Sequence, residues 1–214
     1  MPSLSLPAEA FEAENVQGYL HKAAGGVTEG MVLTHGAGGN CETPLLIAIS
    51  EAFQNAGVTV LRCNLPFRQR RPTGPPRPSD AASDRAGLRS AVDALKGIVS
   101  GRITLSGVSY GGRQASILAA NDPQLVDALM LLSYPLHPPG KPTELRTAHF
   151  LELRTWTLFV QGSKDPFGSI PEMEDSLRAI PAPHALIVVE GAGHELKRGR
   201  FDLDRLINAY QRFK

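Results

Sequence analysis

The chain has 214 residues, of which 42% are apolar and 20% charged, the balance of one ordinary globular domain spanning 1–214. Twenty-two basic residues against twenty-one acidic leave a net charge of +1, which argues against a protein that neutralises nucleic-acid phosphates. No apolar run approaches the roughly 18 residues that span a bilayer, and the N-terminus MPSLSLPAEAF lacks the basic and apolar regions of a secretory signal.

Two cysteines, Cys41 and Cys63, are too few for a disulfide scaffold, so reduced thiols in a cytoplasmic protein are expected. Along the chain, short apolar runs ending in Gly, Asn or Pro alternate with longer amphipathic stretches. Met31 to Thr34 is β-rich and stops at a glycine cluster. Thr43 to Asn55 sets Leu46, Ile49, Ala52 and Phe53 at helical spacing, with Gly57 as the stop. Val58 to Arg62 reads as the next strand, followed by an Arg/Pro loop from Phe67 to Pro78. Asp84 to Ile98 carries Leu88, Ala91, Val92 and Leu95 on one helical face.

Arg102 to Gly107 is a strand, and Gly112 to Asn121 is a helix ended by Asp122-Pro123. Ala128 to Ser133, Thr157 to Val160 and Ala185 to Val189 are further strands. Ile170 to Ile180 and Phe201 to Phe213 supply the helices after the last two. The Pro-rich stretch Tyr134 to Arg154 reads as a loop with at most one helical turn. Strands that are apolar throughout belong to a parallel sheet covered on both faces. The alternation therefore predicts a three-layer α/β fold with a mostly parallel sheet and right-handed crossovers.

In such sheets ligands bind beyond the carboxyl ends of the strands. Four segments lie there: His35-Gly36-Ala37-Gly38-Gly39-Asn40, Gly107-Val108-Ser109-Tyr110-Gly111-Gly112, the loop carrying Asp165, and Gly191-Ala192-Gly193-His194. The form Gly107-x-Ser109-x-Gly111 arises by chance in roughly one such sequence in eight, so the pattern alone is weak. Its context is stronger, because a strand feeds it and a helix leaves it, as a turn that exposes a nucleophilic serine requires. The alternative is a glycine-rich turn whose serine only caps the helix.

A serine nucleophile needs a base. Of six histidines (21, 35, 137, 149, 184 and 194), His194 follows the last strand on a Gly-Ala-Gly turn that can reach back over the sheet. His35 reads as a brace for its own loop, and His137 as a residue bordering the site. Asp165 is the candidate orienting acid, and a turn aspartate before Pro166 is the alternative. The order Ser109, Asp165, His194 is that of α/β hydrolases. The backbone N–H groups of Tyr110 and Ala37 are the candidate oxyanion donors. Arg70 and Arg71, in the Arg/Pro loop, are candidate contacts for an anionic or acyl-coenzyme substrate, with a solvated loop as the other reading.

The strand-HGAGG, GVSYGG, SKDPFG and GAGH segments, in this order, resemble a minimal, lid-poor α/β-hydrolase over nearly the whole chain. The resemblance is nearest to the group related to dienelactone hydrolases, which also contains the hydrolase-like domain of a subunit of the non-specific lethal chromatin complex. Dienelactone hydrolases proper carry cysteine where this chain has Ser109, so lactone chemistry does not carry over. The resemblance implies nucleophile Ser109, acid Asp165, base His194 and oxyanion donors Ala37 and Tyr110. It names no substrate, since one fold hosts many reactions. No glycine loop completes a dinucleotide or phosphate fingerprint, and no Cys/His cluster has zinc spacing. The expectation is a serine hydrolase of a small-acyl ester or thioester, with no cofactor, metal, membrane or nucleic-acid partner. The second hypothesis is a non-catalytic binding or scaffold module on the same fold. The residues do not specify an oligomeric state.

Overall fold

The computed structural model of the protein describes residues 6–24, 28–197 and 201–212. Eight strands form one sheet: β1 (Glu9–Ala13), β2 (Val16–His21), β3 (Glu29–Thr34), β4 (Thr59–Cys63), β5 (Arg102–Val108), β6 (Ala128–Leu132), β7 (Trp156–Gly162) and β8 (His184–Val189). Their order is β1-β2-β4-β3-β5-β6-β7-β8, parallel from β4 to β8, with the β1–β2 hairpin added antiparallel at one edge. The helices are α1 (Pro44–Asn55), α2 (Pro66–Arg70), α3 (Asp80–Lys96), α4 (Tyr110–Asn121), α5 (Ile170–Leu177) and α6 (Leu203–Arg212). Helices α1, α2 and α5 each place proline at the first or second position, where the missing N–H costs no helical bond. Gly57, at φ 88°, turns the chain out of α1.

Successive residues of a strand face opposite ways, so each central strand feeds two cores. One gathers Val32, Leu105 and Phe159 with Leu88 and Val92 of α3, Ala115 of α4 and Leu177 of α5. The other gathers Met31, Leu33, Leu158 and Val160 with Ile49 and Phe53 of α1 and Leu206 and Tyr210 of α6. The architecture is therefore the three-layer, mostly parallel α/β fold expected from the alternation.

Three details depart from the sequence reading. The hairpin β1–β2 was not anticipated. The stretch from Phe67 is not wholly loop, since α2 runs through Arg70. Helix α3 starts four residues before Asp84, and α4 starts at Tyr110 rather than Gly112. The stretch Tyr134–Arg154 is irregular, with one 3₁₀ turn at Phe150–Glu152. It is packed down, because Tyr134 and Phe150 are buried, 5.3 Å apart, against Phe159. Phe213, the expected end of α6, and residues 1–5 of the stretch read as lacking a signal lie outside the described residues. Among the described residues no helix is long and apolar enough to cross a membrane.

Two histidines are buried as hydrogen-bond acceptors. His21 Nε2 accepts from Arg62 Nε at 2.8 Å, and His35 Nε2 accepts from the Leu65 N–H at 3.1 Å. Burial pushes both imidazoles down to about 4, with the charge of Arg62 helping at His21 and that of Arg68 at His35. Above the unfolded value of about 6.5 both states are neutral. As pH falls toward 4 the unfolded chain binds the protons first, so the stability these groups confer is lost in that window. Urea unfolding at pH 7 and pH 4.5 should show a drop to which each histidine contributes on the order of 2 kcal/mol. His35→Gln, whose amide oxygen can still accept from Leu65, should remove about that much of the drop; an unchanged drop would contradict a neutral, buried His35.

Candidate active site

From β3 the chain crosses through α1 to β4 on one side, and from β5 through α4 to β6 on the other. The loops leaving β3 and β5 diverge at that reversal and open a crevice above two adjacent strand ends. Ser109 stands at the end of β5 with φ 51° and ψ −115°, a conformation that side chains rarely adopt. Its N–H is held by the Leu132 carbonyl at 2.8 Å, and its carbonyl accepts from the Arg113 N–H at 2.9 Å. Gly107 is required there, because a Cβ on it would stand 2.6 Å from the Gly111 carbonyl carbon and the Gly112 nitrogen.

The Ser109 side chain makes no cap bond to α4, which removes the reading of this serine as a helix cap. Its Oγ lies 2.8 Å from His194 Nε2, and His194 Nδ1 lies 2.8 Å from Asp165 Oδ2. Three positions separated by 56 and 29 residues in sequence thus stand in one hydrogen-bonded row. The Asp165 side chain is fully buried and the His194 side chain 21% exposed. Asp165 is held as an ion would need to be: Oδ1 accepts from the Phe167 N–H at 2.9 Å, and Oδ2 also accepts from Gln161 Nε2 at 2.9 Å. The Phe167 ring stacks on the His194 imidazole, centroids 4.1 Å apart. The His194 loop is tied to the Asp165 loop by the Lys164 N–H, which donates to the Ala192 carbonyl at 2.8 Å. A cavity of about 540 Å³ adjoins His194, lined by Lys164, Gly193, Glu195 and Lys197 among others.

The β3 loop lies against the serine, since a Cβ on Gly36 would stand 3.3 Å from Ser109 Cβ. His35 Nδ1–H donates to the Gly36 carbonyl at 2.8 Å, and the Gly39 N–H donates to it at 3.2 Å. That carbonyl belongs to the same planar peptide as the Ala37 N–H, so fixing one aims the other in the opposite direction. Among the described residues the Ala37 N–H makes no hydrogen bond. Tyr110, the first residue of α4, directs its hydroxyl away to donate to Asp84 Oδ2 at 2.7 Å.

The remaining sequence candidates have other partners. Arg70 and Arg71 both pair with Asp80, at the start of α3. His137 is buried, with Nδ1 2.8 Å from the Pro138 carbonyl and Nε2 3.7 Å from Glu172. Its backbone N–H reaches the site by donating to the Phe167 carbonyl at 3.1 Å. Sequence reasoning missed Gln161, Phe167, Asp84 and the structural use of Arg68. Phe167 and Gln161 sit in the segment that carries Asp165, so the position was visible although the role was not.

A family model described as an alpha/beta hydrolase domain matches residues 27–207. The chain belongs to the alpha/beta hydrolase domain family. The fold is shared with a dienelactone hydrolase from Anabaena variabilis, at 20% identity and a TM-score of 0.74, covering 96% of this chain and 94% of that one. Est1E from Butyrivibrio proteoclasticus matches at 16% identity and a TM-score of 0.73, with 97% of each chain covered; a structure of it holds ferulic acid. An alpha-beta serine hydrolase homologue from Coxiella burnetii matches at 18% identity and a TM-score of 0.73, covering 100% of this chain and 99% of that one. At such identities the likeness to solved structures establishes the alpha/beta hydrolase fold.

Within this alpha/beta hydrolase, Asp84 of α3 joins α2 to the start of α4, next to Ser109. It is wholly buried, accepts from the Phe67 N–H at 2.9 Å through Oδ1, and accepts from Tyr110 through Oδ2. Burial pushes its carboxyl above the usual carboxylate range while these bonds pull the other way. Asp84→Ala leaves two donors unsatisfied and should cost about 3 kcal/mol in urea unfolding, whereas Asp84→Asn should cost about 1. Equal losses in the two variants would contradict the bonding role.

Proposed function

We propose that the protein is a serine hydrolase that cleaves a carboxylic ester or thioester of a small acyl group. The observation that carries this is the unbroken Asp165–His194–Ser109 hydrogen-bonded row above a strained serine. His194, with its Nδ1–H donating to Asp165, accepts the Ser109 proton at Nε2 as Oγ attacks the substrate carbonyl. Asp165 fixes that tautomer and stabilises the imidazolium, and its own charge is held by Gln161 and the Phe167 N–H.

The carbonyl oxygen gains a negative charge and takes it into the N–H groups of Ala37 and Tyr110, where the positive end of α4 adds to the field. Collapse of the tetrahedral adduct breaks the bond to the leaving group, which receives the proton from His194. Water then attacks the acyl-serine, gives a proton to His194, and the acid departs as Ser109 recovers its hydrogen. These groups and water complete the cycle without a cofactor or metal.

The packed-down Tyr134–Arg154 stretch supports an open cleft suited to small or protruding acyl groups. Cys41 and Cys63 stand as free, buried thiols, which accords with a reducing, cytoplasmic setting. Arg70 and Arg71, turned to Asp80, have no part in this scheme, and neither has the imidazole of His137.

Hydrolysis of p-nitrophenyl acetate and butyrate tests the assignment. Ser109→Ala and His194→Ala should each lower kcat by about 10³-fold or more, and Asp165→Asn by about 10²- to 10⁴-fold, with native unfolding curves. A folded wild type without turnover on short, activated esters and thioesters would instead favour the binding-module hypothesis.

A further inference from the structure

Arg68 is 6% exposed, yet among the described residues it pairs with no carboxylate. Its guanidinium bonds main-chain carbonyls instead. Nε donates to Gly39 at 2.8 Å, Nη2 donates to Ala37 at 2.9 Å and to Gly74 at 3.0 Å, and Nη1 donates to Arg71 at 3.1 Å. The guanidinium carbon also lies 4.9 Å from the centroid of the Phe67 ring. A buried cation held by four carbonyl dipoles cannot be a solvated surface group, and an ammonium cannot reproduce its planar fork.

The position of those carbonyls decides its use. His35 fixes the peptide before Ala37 by gripping the Gly36 carbonyl, and Arg68 fixes the peptide after it by gripping the Ala37 carbonyl. Both peptide planes flanking Ala37 are thereby set, and with them the direction of its N–H beside Ser109. Gly38, between the two carbonyls that Arg68 holds, has open space around it, so packing of its own does not restrain the loop. Three and six residues on, the same guanidinium ties in the carbonyls of Arg71 and Gly74, and Arg71 is itself anchored on Asp80.

We infer that Arg68 is a positioning residue for the oxyanion site: its fork across the Ala37 and Gly39 carbonyls holds the Ala37 N–H in line with the charge that develops on the substrate. This rests on the hydrolase reading. Misaligning a preorganised donor affects the transition state more than substrate binding, so the loss falls on kcat. Replacing the carbonyl oxygen by sulfur weakens the bonds an oxyanion site can make, so an intact site prefers an ester over its thionoester.

The test compares wild type, Arg68→Lys and Arg68→Gln on a short-chain ester and the matching thionoester. Expected in both variants is a kcat on the ester about 10- to 100-fold lower with KM within about threefold, and a fall in ester-over-thionoester preference of similar size. A kcat within about threefold of wild type would overturn the inference, as would a lowered kcat with the preference unchanged, which is the signature of a merely structural arginine. Should both variants fail to fold, the Arg68 Nε–H resonance of the wild type serves: it should shift when a phosphonate occupies Ser109, and an unmoved resonance counts against the role. An inactive wild type would defeat the hydrolase reading itself, which an active wild type with indifferent variants would leave standing.

Discussion

Between β3 and β5 the chain changes the direction in which it winds, and the loops leaving these neighbours part in opposite senses. An open sheet has a concave, backbone-lined gap at such a point without any specialised element. The candidate site is arranged on it. The end of β5 supplies Ser109, the end of β3 supplies Gly36 and Ala37 beside it, and β7 and β8 send their loops over the same edge with Asp165 and His194. The serine stays in its sparsely populated conformation because its N–H, its carbonyl and its glycine neighbours are all committed on either side.

Around that gap, buried polar groups are matched chiefly to neutral partners. Asp165 faces an amide side chain, a backbone N–H and the imidazole of His194; Arg68 faces four carbonyls; His35 faces one carbonyl and one N–H. In the proposed reaction, fixed dipoles of this kind would need no reorganisation as charge moves from the serine to the substrate. Asp84 extends the pattern outward, tying α2, α3 and α4 together behind the two loops that flank Ser109.

Much of this was legible in the sequence, for particular reasons. The strands from β3 to β7 are largely apolar and buried on both faces because both are covered, and that pattern separates them from the amphipathic helices. The three members of the hydrogen-bonded row each follow an apolar run on a turn signature, so their meeting followed from topology alone. The β1–β2 hairpin was not legible: β1 is exposed along most of its length, reads EAFEA, and turns on Glu14-Asn15 without the glycine that usually marks such a turn. Arg68 was illegible for a different reason. It stands in sequence among arginines that pair at the surface, and only the three-dimensional arrangement shows one of them buried against carbonyls while Arg70 and Arg71 turn to Asp80. Gln161 and Asp84 look like an ordinary strand end and an ordinary helical turn until their partners are seen.

The most direct measurement is the site of covalent capture. A fluorophosphonate should add one phosphonyl group to the folded protein, tandem mass spectrometry should locate it on Ser109, and His194→Ala should slow its formation by orders of magnitude. An adduct on another residue, or a folded wild type that reacts no faster than the histidine variant, would contradict a nucleophile activated through that hydrogen-bonded row.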